Sequence, residues 1–373
     1  MSDLQRTPLH ERHLAAGARM VPFAGFEMPV QYRGLVEEHR AVRTAAGLFD
    51  VSHMGEFFVL GSGAAELLDL LTPSRISALD VGRAVYTALT TERGTFVDDI
   101  LVYRLGEERF LLVVNAANLE KDRRWITDRC GDFDLRFEDR SEHFALLALQ
   151  GPRARGILSR LAEDFDALAV KYYRVVEGKV AGRQVIASRT GYTGEMGWEI
   201  FIEAPAAPVV WDALLEAGAD DGLQPAGLGA RDSLRLEAAL PLYGNDIDDQ
   251  TTVLEAGLGF IIDWDKPRFI GRQALLAQRE RGVTRRRAGL EIVGRGIARK
   301  GHAIVHDGEK VGEISSGTWS PTLEKAIAMA YLPVGLAVPG TDILVEVRGR
   351  QLPARVVEMP FYRRAKKKRS PAT

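Results

Sequence analysis

The run GTFVDDILVYR, Gly94 to Arg104, sets two adjacent carboxylates in a strand that is apolar on both sides. With a period of two, Phe96, Asp98, Ile100 and Val102 share one face, and Val97, Asp99, Leu101 and Tyr103 share the other. A strand of this kind is covered on both faces, so the chain must fold into layers. Burying a carboxylate is expensive unless something pairs with it or uses it. At least one of the two aspartates therefore sits against a core or a pocket.

The length of 373 residues allows two or three domains. Hydrophobic residues at 46% and charged residues at 27% fit a soluble globular chain. A net charge of −2 argues against a protein built to coat nucleic acid. The single cysteine, Cys130, excludes an internal disulfide framework and a cysteine-ligated metal site within one chain. The N-terminal stretch MSDLQRTPLHERHL lacks the apolar core of a signal peptide, and no apolar run approaches the ~20 residues of a membrane span. The expectation is a cytoplasmic protein with no membrane and no nucleic-acid partner.

Strand and helix signals alternate at short intervals along the chain. TPLHERHLAAGARM reads as a helix with Thr7 as N-cap and Gly17 as its stop, and LVEEHRAVRTAAGLFD as another, with Gly47 just past its end. Strands are expected near Phe57–Leu60, Tyr86–Leu89, Val97–Tyr103 and Phe110–Val114, and helices over SGAAELLDLL and NAANLEKDRRWITDRC. This alternation, without long βαβ periods, predicts an α+β fold. Around Arg281 the texture changes. QRERGVTRRR reads as a charged linker, followed by hairpins centred on Asp307–Gly308 and near Gly349, the pattern of a small β-barrel or sandwich.

Phosphate-binding loops and nucleophile elbows are absent from the sequence. His10 and His13, three apart on a helix, have no third ligand nearby in sequence and read as surface histidines; His53 is open between a site residue and a satisfied loop histidine. In RTGYTGEMGWEIF, three glycines let the backbone turn tightly or approach a ligand, and they carry Tyr192 and Glu195. A carboxylate on such a loop can accept two parallel hydrogen bonds from a flat N–H donor pair, such as an aminopyrimidinone ring, each worth ~1.5–3 kcal/mol. The alternative is a hairpin turn with an incidental Glu. Arg231 and Arg235 share one helix face, open between salt bridging to neighbouring carboxylates and anion recognition by a guanidinium fork.

TPLHERHLAAGARMVPFAGFEMPVQY, EHRAVRTAAGLFDVSHMGE, GTFVDDILVYR, VVNAANLEKD, LALQGP, RTGYTGEMGWEIF, GARDSLRLEAALPLYGNDID and SSGTWSPTLEKAIAMAY occur in this order. This ordered set, spanning Thr7 to about Tyr362, resembles the aminomethyltransferases of the glycine cleavage system, the T-proteins. Departures are small: Phe26 and Phe260 stand where relatives often carry Trp, and TTVLEAGLG replaces a more usual TPLEAGLG.

The resemblance implies a clover-like, three-domain α+β arrangement, two interleaved α/β domains and a C-terminal β-barrel. The expected limits are 1–50 with 140–240, 51–139 with 241–280, 285–362, and a basic, disordered tail at 363–373. It implies transfer of an aminomethyl group from the dihydrolipoyl arm of a lipoylated H-protein to tetrahydrofolate. Ammonia leaves and 5,10-methylenetetrahydrofolate forms, in association with the glycine decarboxylase and dihydrolipoyl dehydrogenase components, with no metal. Asp98 matches the family's catalytic aspartate, Asp99 being structural; Glu195 matches the pterin-binding glutamate and Arg231 a ligand-contacting arginine. Asn115, Tyr192, Met54 and Tyr86 resemble pocket-lining positions, and Tyr362 one that reaches the pocket from the C-terminus. Two related readings stand beside this one. A non-enzymatic folate binder assisting iron–sulfur cluster assembly carries a KGCYxGQE-like cysteine that is missing here. The folate module of a dimethylglycine or sarcosine demethylating enzyme is normally fused to a flavin domain.

Overall fold

A computed structural model describes residues 4–364. The basic-tail reading falls outside the described residues beyond Arg364. The fold is α+β, with two twisted sheets packed face to face, helices on their outer faces, and a closed six-stranded barrel.

The larger sheet runs in the order Ala162–Glu163, Val175–Val180, Arg183–Ser188, Gly197–Glu203, Phe144–Gln150, Ala46–Asp50, Leu223–Pro225. Its outer face buries Leu147, Leu149 and Ile200 against Ile157, Val210, Trp211 and Leu214 of the helices Ala154–Ser159 and Ala207–Gly218. The smaller sheet runs Arg83–Thr90, Phe96–Gly106, Arg109–Val114, Gly55–Leu60, Arg136–Asp139. Its outer face packs on Leu67, Leu68 and Leu71 of Ala64–Leu71 and on Ile126 of Leu119–Thr127. Phe58, Tyr103, Leu111 and Val113 of the smaller sheet meet Phe49, Leu146, Ala148 and Phe201 of the larger one, forming the core between the sheets.

The barrel closes in the order Arg285–Ile292, Lys325–Pro333, Glu309–Ser320, Ala303–His306, Asp342–Val347, Arg350–Val357. The helix Leu228–Glu237 ties it to the rest: Ala230 and Leu234 enter the inter-sheet core, and Leu236 packs on Ile327 and Met329 of the barrel. Both barrel hairpins turn as expected, Asp307–Gly308 with φ of 51° and 84° and Arg348–Gly349 with 52° and 75°.

Three local expectations are corrected. The charged stretch near Arg281 is no linker: a helix occupies Arg272–Arg281, and the barrel's first strand already begins at Arg285. Gly47 does not cap a helix but lies inside the strand Ala46–Asp50, where a Cβ would collide with the Val42 side chain. His10 and His13 are not surface residues. The helix His10–Ala15 folds them inward, and the fully buried His13 bonds Asp50 at 2.8 Å through Nε2 and Tyr32 at 2.9 Å through Nδ1. Among the described residues no helix is long and apolar enough to cross a membrane, and no group of three or more His, Cys, Asp and Glu is arranged to hold a metal.

Candidate active site

The two aspartates of Phe96–Gly106 point in opposite directions, and a bulge decides how. Asp98 pairs with Leu89 but Phe96 with Thr90, so Val97 is the extra residue and joins the outer core with Ile100 and Val102. Asp98 keeps phase with Ile100 and Val102 and faces the helix layer; Asp99 keeps phase with Leu101 and Tyr103, which lie against the space between the sheets. Asp98 thus lies on the helix side of the strand and Asp99 on the side toward the larger sheet, opposite to the placement expected for a pocket-facing Asp98.

Asp98 is fully buried and surrounded by donors. The Asn115 backbone N–H donates to Oδ2 at 2.9 Å, the Asn115 side-chain amide to Oδ1 at 2.9 Å, and the Asn118 amide to Oδ1. Asp99 is half-buried. The Tyr86 hydroxyl donates to its Oδ2 at 3.0 Å, and the Asn115 amide reaches its Oδ1 at 3.0 Å. Burial, and then the negative charge of Asp98, push the Asp99 carboxyl up to about 7, against which the bonds from Tyr86 and Asn115 work. Tyr86 itself is held well above its ordinary range by burial and by Asp99.

A second cluster lies on the loop before the strand Gly197–Glu203. Gln150 anchors that loop: its amide donates to the carbonyls of Thr190 and Trp198, and Thr193 donates to its Oε1 at 2.9 Å. Gly191 and Gly197 lie so close to Gln150 that any Cβ would collide with it, and Gly194 turns the loop at φ 79°. The glycines thus approach a core glutamine. Tyr192 gives its hydroxyl to the Pro241 carbonyl and offers its ring face to Arg231, whose guanidinium carbon lies 4.7 Å from the ring centroid. Arg231 Nη1 and His53 Nδ1 are buried and have no partner among the described residues. Burial, and then the charge of Arg231, hold His53 down to about 4, so it is a neutral imidazole. Met54, next to His53, is half-buried against the inter-sheet core.

Glu195 leaves the same loop toward the helix Leu35–Thr44. Arg43 Nη1 reaches its Oε1 at 3.1 Å, and the Tyr362 hydroxyl donates to that oxygen at 2.8 Å. The Arg43 guanidinium carbon sits 4.0 Å from the Tyr362 ring centroid, and the same guanidinium bonds Glu237 Oε2 at 2.8 Å through Nη2. Glu195 Oε2 takes no hydrogen bond among the described residues. Arg235, which shares the helix Leu228–Glu237 with Arg231, is engaged by Asp232 at 2.9 Å and by Asp246 and Ser316.

Asp98, Asn115 and Tyr86 thus meet around Asp99, Arg231 meets Tyr192, and Tyr362 meets Glu195. Sequence reasoning missed Arg43 and Asn118. For Asn118 a signal was present: Asn115 and Asn118 are three apart, the spacing of one helix face.

The GCVT N-terminal domain model matches residues 9–266, and the glycine cleavage T-protein C-terminal barrel domain matches residues 285–363. An aminomethyltransferase of Symbiobacterium thermophilum is 53% identical over 97% of this chain and 98% of its own length. One from Desulfitobacterium hafniense is 48% identical over 98% of this chain and 100% of its own. The crystal structure of glycine cleavage system aminomethyltransferase T from Bartonella henselae superposes with a TM-score of 0.91 at 35% identity, covering 96% of this chain and 98% of that one. On this ground the chain belongs to the glycine cleavage T-protein family, the aminomethyltransferases, and is a transferase enzyme.

Proposed function

We propose that this enzyme moves the carbon of an aminomethyl group from the dihydrolipoyl arm of the H-protein to tetrahydrofolate. The carbon–sulfur and carbon–nitrogen bonds of the aminomethyl unit break, and bonds from that carbon to N5 and N10 of the folate form. The two protons displaced from N5 and N10 leave with the thiol and with ammonia, so no oxidant is required. In this reading the glycine decarboxylase component loads the arm, and the dihydrolipoyl dehydrogenase component reoxidises the dithiol that the transfer leaves.

The observation that carries it is the Asp99 carboxyl, half-buried, bonded by Tyr86 and raised to about 7. A carboxyl of that proton affinity accepts a proton from a folate nitrogen and returns it to the departing amine near neutral pH. Its negative form also stabilises positive charge on the methylene carbon as N5 attacks. We assign the reacting-centre role to Asp99, and to Asp98 and Asn115 the task of holding it. Glu195, fixed through one oxygen by Arg43 and Tyr362, keeps the other to accept an N–H of a pterin. Arg231, with a buried N–H unused, offers a donor to the ligand, and we assign Tyr192, Met54 and Tyr86 to the walls around it. The domain limits 1–50 with 140–240, 51–139 with 241–280, and 285–362 remain our proposed division of the chain, and its cytoplasmic location belongs to the same reading.

The test follows methylenetetrahydrofolate formation from aminomethylated H-protein, with tetrahydrofolate affinity measured alongside. Folate binding without product would remove the transferase step and leave a folate binder.

A further inference from the structure

Behind Asp98 lies a carboxyl that the proposed reaction does not use. Asp122, on the helix Leu119–Thr127, is buried, and neither of its oxygens receives a hydrogen bond from any N–H or O–H among the described residues. Its helix packs on the Asp98 face of the strand Phe96–Gly106, with Ile126 against Ile100 and Val102, and the charges of Asp122 and Asp98 act on one another. Two neighbouring buried carboxyl groups with no cation bonded to either do not both ionise, so one of them keeps a proton. The donors decide where it rests. Burial pushes the Asp98 carboxyl up, but the three N–H bonds it collects from Asn115 and Asn118 work the other way and favour its anion. Asp122 collects none.

Lys121 is the cation whose charge acts on Asp122, and it works against protonation there. The ammonium of Lys121 donates to the Tyr243 hydroxyl at 2.7 Å instead of to either aspartate. The other charged or titratable groups acting on the cluster and its tyrosines are Asp99, Asp248, Asp249, Tyr86, Tyr192, Tyr243 and Arg287; Arg287 acts on Tyr86, and the rest are acidic. Burial, and then the charge of Asp98, push Asp122 up to about 11, in the direction the donor count requires.

We propose that Asp122 is a positioning residue that keeps its proton throughout the working pH range and donates it to Asp98, locking Asp98 as a fixed anion directly behind the pocket-facing carboxyl. The buried pair then carries one negative charge, and that charge helps keep Asp99 protonatable near neutrality. This use of the pair rests on the reading of Asp99 as the reacting carboxyl; the location of the proton does not.

The test is infrared spectroscopy of the full chain with its aspartates carbon-13-labelled at the side-chain carboxyl, at about pH 9, where Asp99 is ionised. The label separates Asp122 from Glu56, another buried acid whose carboxyl burial raises. The wild type is expected to keep a label-sensitive protonated-carboxyl band that Asp122→Asn removes. No such band in the wild type, or a band that survives Asp122→Asn, overturns the proposal. Asp122→Asn, which keeps a neutral donor, is expected to leave turnover within about threefold and the Asp99 titration midpoint in place, whereas Asp122→Ala loses at least about tenfold in turnover. A fall of about one pH unit in the Asp99 midpoint of Asp122→Asn would mean a second anion had been removed, and would equally overturn it. Failure of the Asp99 reading has a separate signature: Asp99→Asn retains wild-type turnover while the infrared band is still present.

Discussion

Tyr86 donates its hydroxyl to Asp99 across adjacent antiparallel strands, two pairing positions along from the register in which Tyr86 faces Leu101 and Asp99 faces Ala88. The diagonal contact leaves the second Asp99 oxygen to Asn115 and holds the carboxyl between the sheets. Replacing Asp99 by Asn is expected to lower methylenetetrahydrofolate formation by about 10²–10⁴-fold while tetrahydrofolate affinity changes little. Equal losses in rate and affinity would instead make Asp99 a binding residue.

Asp98→Asn is expected to act through Asp99. Removing the buried charge lowers the Asp99 carboxyl from about 7 toward its ordinary value of 3.8. The acidic limb of the pH–rate profile should move down by about one pH unit or more. An unmoved limb with activity abolished at every pH would return the direct role to Asp98.

Arg231 presents an unused, buried N–H. Arg231→Gln should weaken tetrahydrofolate binding by about 10–100-fold, the loss of one charge-assisted hydrogen bond. Product formation at saturating folate should change much less. The measurement is a titration followed by fluorescence or calorimetry.

Arg43 holds two carboxylates at once, Glu195 and Glu237, with its side chain only 6% exposed. Arg43→Ala leaves both buried and short of a partner, and should cost about 3–5 kcal/mol in denaturant-measured stability. Folate affinity should fall as well, since Glu195 loses its orientation.

His53 gives the fold a pH dependence of definite sign. Its folded-state value lies near 4 against an ordinary 6.5, so between those values the unfolded chain binds a proton that the folded one refuses. Stability is lost as pH falls through this window, by about 3 kcal/mol once pH is below 4. His53→Gln should remove that share of the acid sensitivity, seen as a smaller drop in denaturation midpoint from pH 7 to pH 4.

The sequence was most legible where local chemistry alone decides the backbone. Asp307–Gly308 and Arg348–Gly349 both adopt the positive φ of tight hairpins, and the change of texture near Arg281 does precede a barrel. It was least legible where two faces are equally apolar. Phe96–Gly106 is buried on both sides, so alternation says that the aspartates diverge but not which one meets the pocket, and the bulge at Val97 has no signal in the residues themselves. His10 and His13 were misplaced for a related reason: a six-residue helix has too few positions to reveal its buried face, and Asp50, which His13 needs, is far away in sequence. Arg43 was invisible because its two carboxylates come from a loop and a helix more than 150 positions on.

The bond from Tyr362 to Glu195 joins residues 167 positions apart and lies beyond the last barrel strand, Arg350–Val357. During synthesis both sheets and the barrel can therefore form while the glutamate still lacks one of its two fixing partners. Glu195 acquires its final orientation only when translation has passed Tyr362, so nascent chains shorter than this should hold folate poorly even when their sheets are complete. Ligand capture would then report on the completeness of the polypeptide.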